Sequence, residues 1–412
     1  MLKLNNFLLN FLVFFFPPVL FLRSAALNLY IVFLGLIFVY YFFTKIQSYD
    51  KKFKNIIYSF FIFYSYIICI SFFSIDQTAA FKSSISQIRF FLFFLFFSTI
   101  IKLDENFFNK LIFFYKLFLL FFSFDLIFQA LSSDGLNTIG IKSGGNSPER
   151  FSSFFGDELI FGTFIFFLGI PVISQILSKF NTGTLITKLL NFFFLIILSL
   201  AIILTGDRLA TIFFSLAITL IVCFIFDYKK IIYFLLFLLT FLFFVFLFNS
   251  NVQKRYLSTI TEIKNYNEFG YFRLFSSSFN IWQDNKLFGV GLKNYRVICN
   301  TNTKDKFTEL PILCSTHPHN NWLELLVETG IIGTILFVTF IIKISIYLFS
   351  SKSIFNKKNN SYAGYAIGLL VTLLFFLWPI KSSGSMFSTY FMSYVWFNLG
   401  LLFSLIKLKN AN

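Results

Sequence analysis

The stretch "TKLLNFFFLIILSLAIILTGDRLATIFFSLAITLIVCFIF", residues 187–226, contains two apolar runs separated by the short polar turn T-G-D-R. Each run has about 20 residues, which is the length an α-helix needs to cross the hydrocarbon core of a bilayer. The pattern therefore predicts two membrane-spanning helices, over residues 187–205 and 209–226, joined by a tight turn.

The rest of the chain repeats this pattern. The 412 residues are 57% hydrophobic and include 70 Phe, far more than a soluble domain carries. We therefore predict an all-α polytopic membrane protein with about 12 transmembrane helices, in which residues 1–412 form a single integral membrane domain. The first run lacks a small-residue cleavage site and is interpreted as a retained helix. The predicted spans are 5–22, 26–44, 56–75, 88–101, 107–130, 158–177, 187–205, 209–226, 231–249, 322–349, 362–380 and 386–406.

Lysine is concentrated in alternate loops, which predicts the orientation of the chain. By the positive-inside rule these loops are cytoplasmic, and contacts with anionic lipid headgroups account for much of the net charge of +16. No nucleic-acid motif competes with that explanation. The opposite, extracytoplasmic side then holds residues 131–157, the turn at 205–210 and one large loop, 250–321, between helices 9 and 10. The lysines predicted inside are Lys45, Lys51, Lys52, Lys54, Lys102, Lys110, Lys179, Lys188, Lys229, Lys230, Lys352, Lys357, Lys358, Lys407 and Lys409.

Arginine, in contrast, is found mainly in the extracytoplasmic segments. A guanidinium binds phosphate or carboxylate through two parallel hydrogen bonds, whereas an ammonium acts as a point charge. An arginine-lined outer face therefore indicates a phosphate-bearing ligand. For Arg150, contact with such a ligand and ordinary solvation in a loop remain alternatives. The arginines of these segments are Arg150, Arg208, Arg255, Arg273 and Arg296.

Cys299 and Cys314 both lie in the large loop, on the oxidising side of the membrane. We predict a disulfide between them, the alternative being two unrelated free thiols. The bridge would close a small loop just before the two histidines of the chain. One cysteine and two histidines are too few paired ligands for a zinc site, so no metal is expected.

Both histidines, His317 and His319, lie in "CSTHPHNNWLELLVETGIIG", residues 314–333. Pro318 prevents a helix from extending back to His317, and Asn320 or its neighbour can cap the apolar run that follows. His319 is therefore expected at the outer mouth of the tenth helix, where the helix N-terminus attracts anions and favours a neutral imidazole. A proton-accepting role and an interfacial backbone hydrogen bond are both compatible with this position.

Three polar residues follow at intervals of four, namely Asn320, Glu324 and Glu328. They share one helical face, which must point into the protein or into a wet cavity because carboxylates do not face lipid. We expect Asn320, Glu324 and His317 to contact the substrate. Gly330 then permits close helix packing.

Four stretches, in the same order as in the family, resemble the O-antigen ligase and polymerase superfamily of bacterial envelope glycosyltransferases. In "TGDRLA", Asp207 replaces the usual serine, and in "ERFSSFFGDELIFG", Ser153 stands where glycine is common. The resemblance covers roughly residues 145–340. The four stretches are "ERFSSFFGDELIFG" (149–162), "TGDRLA" (205–210), "GYFRLFSSSFNIWQDNKLFGVG" (270–291) and "HNNWLELLVETGIIGT" (319–334).

The resemblance implies a GT-C-like, metal-independent transferase without a cofactor, in the bacterial inner membrane with its active site facing the periplasm. Its donor would be a glycan on a polyprenyl diphosphate carrier. Arg208 and Arg273 would bind the diphosphate, and His319 would activate the acceptor hydroxyl. An activated anomeric carbon needs only stabilisation of the leaving-group charge and a base, so these residue types suit the reaction.

The acceptor separates the alternatives. A ligase transfers the glycan to lipid A core, and the H-N-x9-G-x-x-G-T spacing favours that form. A polymerase transfers it to another carrier-linked repeat. A lipid-linked glycan flippase or other transporter is a third alternative, but transporters usually show internal repeats and polar groups near the midplane. The sequence shows no internal repeat, and the ionisable residues that could serve a substrate cluster at the outer mouth and in the large loop, with Lys116 and Asp125 in the fifth span as exceptions.

Overall fold

The computed structural model describes residues 6–44, 49–101, 105–132, 134–143, 150–226, 253–258, 270–301, 313–356 and 360–411. These residues form helices and connecting segments, with no strand among them. The predicted span 231–249 and part of the large loop 250–321 lie outside the described residues. The α-helices are α1 (Asn6–Phe14), α2 (Phe16–Phe21), α3 (Arg23–Thr44), α4 (Lys51–Ser71), α5 (Gln77–Ser86), α6 (Ile88–Thr99), α7 (Glu105–Leu131), α8 (Phe161–Phe164), α9 (Ile170–Ser178), α10 (Leu185–Leu204), α11 (Arg208–Ile225), α12 (Gly270–Asp284), α13 (Tyr295–Thr301), α14 (Asn321–Ser350), α15 (Ala363–Phe376) and α16 (Thr389–Ala411).

Nine helical segments in the described ranges are long and apolar enough to cross a membrane. The all-helical, multi-span architecture is therefore confirmed, whereas the count of about twelve helices is not. The helix α15 is apolar but shorter than the other spans. The candidate spans are Arg23–Thr44, Lys51–Ser71, Gln77–Thr99, Glu105–Leu131, Phe161–Ser178, Leu185–Leu204, Arg208–Ile225, Asn321–Ser350 and Thr389–Leu408.

The first predicted span, 5–22, is divided into the two short helices α1 and α2. Pro17 and Pro18 lie in the first turn of α2. Proline is tolerated there because the first N–H groups of a helix have no partner within it, but it cannot continue the hydrogen-bond ladder of a preceding helix. The prolines thus explain why a single continuous helix does not form.

The successive spans from α3 to α11 alternate in direction, as do those from α14 to α16, so the segments that connect them gather at two ends of the bundle. At one end, Thr389 Oγ1 donates to Asn28 Oδ1 at 3.1 Å and joins the starts of α16 and α3. At the other, Ser404 Oγ donates to the carbonyl of Ile101 at 3.2 Å. We call the first the site end, because a cavity opens there. We call the second the lysine end, because lysines that were predicted to share one side of the membrane lie there. They include Lys51, Lys179, Lys188, Lys352 and Lys407.

Close contacts between helices depend on small residues facing large ones. A Cβ at Gly368 of α15 would lie 2.5 Å from the Cα of Pro171 in α9, and a Cβ at Gly400 of α16 would lie 2.7 Å from the Cβ of Phe97 in α6. Glycine therefore allows the backbones to approach, as in other membrane helix pairs. Phenylalanine rings in edge-on, tilted and stacked contacts fill much of the remaining interior.

The long helix α14 is broken at Gly330, whose φ of 65° lies in the left-handed region. The turn that contains Gly289, also at positive φ, is inserted at the break. Its backbone replaces lost helical partners: Val290 N–H donates to Val327 O at 3.0 Å, and Ile331 N–H donates to Lys286 O at 2.9 Å. A Cβ on either glycine would lie within 2.6 Å of the opposing backbone, so both positions require glycine.

Candidate functional site

A cavity of about 620 Å³ opens at the site end. Its wall has two parts. The polar wall comes mainly from the segments that precede or connect helices, and the aromatic wall comes from the helices themselves. The polar wall includes Arg150, Glu158, Asp207, Tyr271, His317, His319, Lys381, Ser383, Ser385 and Thr389, and the aromatic wall includes Phe166, Phe167, Phe213, Phe375, Phe376 and Phe391.

Four helical spans begin at this cavity, those starting at Phe161, Arg208, Asn321 and Thr389. Each helix N-terminus carries a partial positive charge, so their convergence makes the cavity favourable for an anion. Two of the N-termini are capped by side chains, Asp207 at α11 and Asn320 at α14. At those two ends an anion is therefore attracted mainly by the electrostatic field and not by free N–H groups.

His319 lies immediately before the cap of α14, as the sequence predicted. Its φ of 55° is left-handed, and its carbonyl accepts a hydrogen bond of 2.7 Å from Ser383 N. Its Nε2 lies 3.0 Å from Ser315 Oγ, and its ring makes an edge contact with Tyr271. Burial lowers the pKa of His319, partly offset by a hydrogen bond with the Ser383 backbone. A neutral imidazole at pH 7 is able to accept a proton.

His317 lies beside it, with ring centroids 4.0 Å apart. Its Nε2 is 3.3 Å from the carbonyl of Ser383. Since a carbonyl only accepts, this nitrogen carries the proton, and Nδ1 accepts from Thr316 Oγ1 at 3.0 Å. Burial, followed by the charge of His319, lowers the pKa of His317 to about 4. Both ring nitrogens of His317 are thus already hydrogen-bonded.

Asn320 connects the histidines to the segment between α15 and α16. Its Oδ1 accepts from the backbone N–H groups of the first turn of α14, both at 3.0 Å. Its Nδ2 donates to Pro379 O at 2.8 Å and to Lys381 O at 2.9 Å. The buried amide therefore holds two cavity-lining segments together, and Asn320 itself does not line the cavity.

Glu324 is fully buried one turn further along α14. Its carboxylate accepts from Ser385 Oγ at 2.6 Å and from Met386 N at 2.5 Å. Lys293 Nζ also donates to Ser385 Oγ at 2.7 Å and lies 3.9 Å from Glu324 Oε1. Glu324 thus lies behind Ser385, which does line the cavity.

Comparison with known families adds to this geometry. Residues 193–338 match the model of the O-antigen ligase family. The resemblance to the ligase and polymerase superfamily is confirmed by this match, and the family acts on lipid-linked glycans. No curated protein matches the chain.

The matched region contains Arg208 and Arg273, and neither is among the residues that line the cavity. Arg208 is the first residue of α11, between the lining residues Asp207 and Leu209, and its Nη2 donates to Ser258 Oγ at 2.7 Å. Arg273 is half-buried on α12, two residues after Tyr271. The structure therefore brings His319 to the cavity wall and Arg208 between two lining residues, whereas Arg273 shares α12 with the lining residue Tyr271.

Arg150 lies outside the matched region but lines the cavity, and its Nη2 donates to Leu159 O at 3.4 Å. The segment after it is held by Ser153, whose Oγ donates to the buried carboxylate of Asp125 at 2.5 Å. Ser153 has a φ of 52°, which explains why glycine suits this position. Asp125, an ionisable residue within an apolar predicted span, therefore supports the segment that carries Arg150.

Cys299 of α13 and Cys314 form a disulfide with Cα atoms 5.6 Å apart. The bridge lies within the matched region and connects α13 to the segment that carries the histidines. Cys299 is fully buried in a small cluster with Ile281 and Tyr295. Among the described residues, no group of three or more His, Cys, Asp and Glu side chains is arranged to hold a metal ion.

Sequence reasoning missed Lys381 and Tyr271, both of which line the cavity. Lys381 occupies the short polar break between the last two predicted spans, on the side opposite to the lysine-rich loops. A lysine on that side departs from the distribution of the other lysines, and this departure is the signal that could have identified Lys381. Tyr271 is adjacent to the "GYFR" motif, but its contact with His319 depends on tertiary packing of α12.

Proposed function

We propose that this protein transfers a glycan from a polyprenyl diphosphate carrier to lipid A core, on the periplasmic face of the bacterial inner membrane. The observation that carries the proposal is the position of His319. A neutral imidazole lies in the wall of a cavity of about 620 Å³, where the positive ends of four helices converge. Such a cavity suits a reaction that needs a base beside an anionic leaving group.

In the proposed reaction the acceptor hydroxyl oxygen forms a bond to the anomeric carbon of the glycan. The bond from that carbon to the diphosphate oxygen breaks, and the departing polyprenyl diphosphate keeps the electron pair. The hydroxyl proton moves to His319. Arg208 and Arg273, together with the helix N-termini, stabilise the charge on the leaving group. The balance of atoms and charges requires neither a metal nor a cofactor.

The remaining predicted residues are assigned by position. Arg150 and His317 line the cavity and are proposed to contact the glycan or the diphosphate. Asn320 and Glu324, expected from the sequence to contact substrate, are proposed to act from behind the wall. Their polar atoms already bond to residues 379–386, so they hold the segment against which the substrate lies.

A gel assay tests the proposal and separates its alternatives. Purified protein is incubated with polyprenyl-diphosphate-linked glycan, with and without lipid A core. Product that forms only with lipid A core supports the ligase reaction. A ladder that lengthens on the carrier without that acceptor indicates a polymerase, which uses the same donor chemistry. Movement of the intact donor across a vesicle bilayer without any product would indicate a flippase and would refute the proposal.

A further inference from the structure

Lys381 is a buried cation that the proposed mechanism does not use. It lines the cavity, yet only 7% of its surface is exposed. Its Nζ donates to the carbonyl of Phe375 at 3.1 Å. The same atom lies 5.3 Å from the ring centroid of Phe391, 5.4 Å from that of Phe376 and 6.0 Å from that of Phe213. Its ammonium is therefore set into the aromatic wall.

This environment leaves the cation incompletely balanced. An ammonium has three donors, and one carbonyl among the described residues accepts from it. The aromatic faces attract a cation, but less strongly than a carboxylate would at contact distance. Burial lowers the pKa of Lys381 to about 7. The other charged or titratable groups that line the cavity are Arg150, Glu158, Asp207, Tyr271, His317, His319, Tyr390 and Tyr394.

The position of Lys381 is coupled to that of His319. Asn320 donates to the backbone carbonyl of Lys381 at 2.9 Å, and the same side chain caps α14 directly after His319. Two residues further on, Ser383 N–H donates to the His319 carbonyl at 2.7 Å. Two hydrogen bonds and the Asn320 cap therefore hold the lysine and the imidazole on facing segments of one cavity.

The donor of the proposed reaction is amphipathic, and its diphosphate joins a polar glycan to an apolar polyprenyl chain. The diphosphate is expected where the polar and aromatic walls meet, and the ammonium of Lys381 lies there. We propose that Lys381 is a diphosphate-binding residue of the donor site, and that binding of the diphosphate is coupled to protonation of its amine. This inference rests on the proposed function.

The reason for the proton uptake is electrostatic. A phosphate oxygen near a buried amine favours its charged form, so the anion and the proton bind together. A lysine that served only as a cap for the C-terminus of α15 would keep its bond to Phe375 with or without ligand. Such a lysine would not couple a proton to anion binding.

The test is isothermal titration calorimetry of the full-length protein in detergent, with farnesyl diphosphate as the probe. Titrations at pH 8 in buffers of different ionisation enthalpy give the number of protons taken up. We expect the wild type to take up about one proton through Lys381. Lys381→Met should bind about 10- to 100-fold more weakly, as for the loss of a hydrogen bond to a charged group, and should lose that uptake.

Lys381→Arg is the informative second variant, because its guanidinium is charged in both states. It should bind the probe more tightly than Lys381→Met and take up no proton at this position. Lys352→Met, at the lysine end, is the matched control and should behave as the wild type.

Binding by Lys381→Met within twofold of wild type would overturn the inference, as would full proton uptake by Lys381→Arg. If the Met variant does not fold, the Arg variant decides alone. The measurement does not depend on transfer. Wild-type binding with proton uptake but no product in the gel assay would refute the proposed reaction alone, whereas transfer with unchanged binding by Lys381→Met would refute this inference alone.

Discussion

Replacing His319 by Asn tests the proposed base more sharply than replacing it by Ala. The residue has a φ of 55°, where a side chain with a Cβ is strained by about 1–2 kcal/mol. Asn adopts this region more readily than most residues but cannot act as a base near neutral pH. The variant therefore removes the imidazole while keeping the backbone that accepts from Ser383 and precedes the α14 cap.

The expected magnitudes separate the loss of the base from the effect of backbone strain. Loss of a general base lowers the rate by about 10²- to 10⁴-fold. Wild-type His319 also carries a Cβ at this φ, so only the difference in strain between the side chains counts, and a difference of about 1 kcal/mol would shift the population of the native loop arrangement about fivefold. In His319→Ala the two effects combine, whereas His319→Asn should show mainly the first. We expect kcat for glycan transfer to fall by about 10²- to 10⁴-fold in the Asn variant, measured by gel densitometry at saturating donor.

His317→Asn is the matched control, since the two rings are 4.0 Å apart and only His319 is assigned as the base. It should lose at least about tenfold less activity than His319→Asn. Burial lowers the pKa of His319 from 6.5, so wild-type kcat/KM should fall on the acid side only below pH 6.5. That acid limb should disappear in His319→Asn. Turnover by His319→Asn within tenfold of wild type would refute the assignment.

Other changes test the surrounding structure. Arg208→Ala and Arg273→Ala should each lower transfer by about 10²- to 10³-fold with membrane insertion unchanged. Lysine at either position should restore only part of the rate, because it lacks the planar guanidinium that binds two phosphate oxygens. A wild-type rate in an Ala variant would remove that arginine from the mechanism. Non-reducing mass mapping should find a peptide pair joined through Cys299 and Cys314, and alkylation of both as free thiols would contradict the bridge. Asn320→Ala should lower the free energy of unfolding by about 1–3 kcal/mol, through the lost cap and the unpaired carbonyls, and this should appear as a lower Tm in detergent. Asn320→Ser should lose less stability, because it keeps a capping oxygen. Equal losses in the two variants would argue against the cap.

The membrane spans could be predicted because length and apolarity alone decide them, but their ends could not. The predicted span 56–75 is observed as Lys51–Ser71, because Asp50 accepts from Phe53 N and starts the helix among charged residues. The predicted span 88–101 continues backward through the polar helix α5, which a hydropathy pattern does not detect. Caps and polar turns depend on individual hydrogen bonds and not on average hydrophobicity.

In the site, too, the features with local causes could be predicted, whereas those that depend on tertiary packing could not. The position of His319 before a capped helix followed from Pro318 and Asn320, since proline and the cap act locally. The second role of Asn320, donating to Lys381 about 60 residues later, depends on how α14 and α15 pack and has no local signal. Likewise, Asp125 looked anomalous within an apolar span until the structure placed Ser153 against it.

The break at Gly330 has a practical consequence for building chimaeras with related transferases. Four backbone hydrogen bonds join the turn around Gly289 to both sides of the break. Two of them are donated by the turn and two by α14, so the large loop is not an independent module. An exchange that replaced the loop but kept the host helix would pair the turn of one protein with the helix of another. Exchanges that aim to transfer acceptor preference should therefore move residues 270–333 as one block, with the cut placed after Gly333.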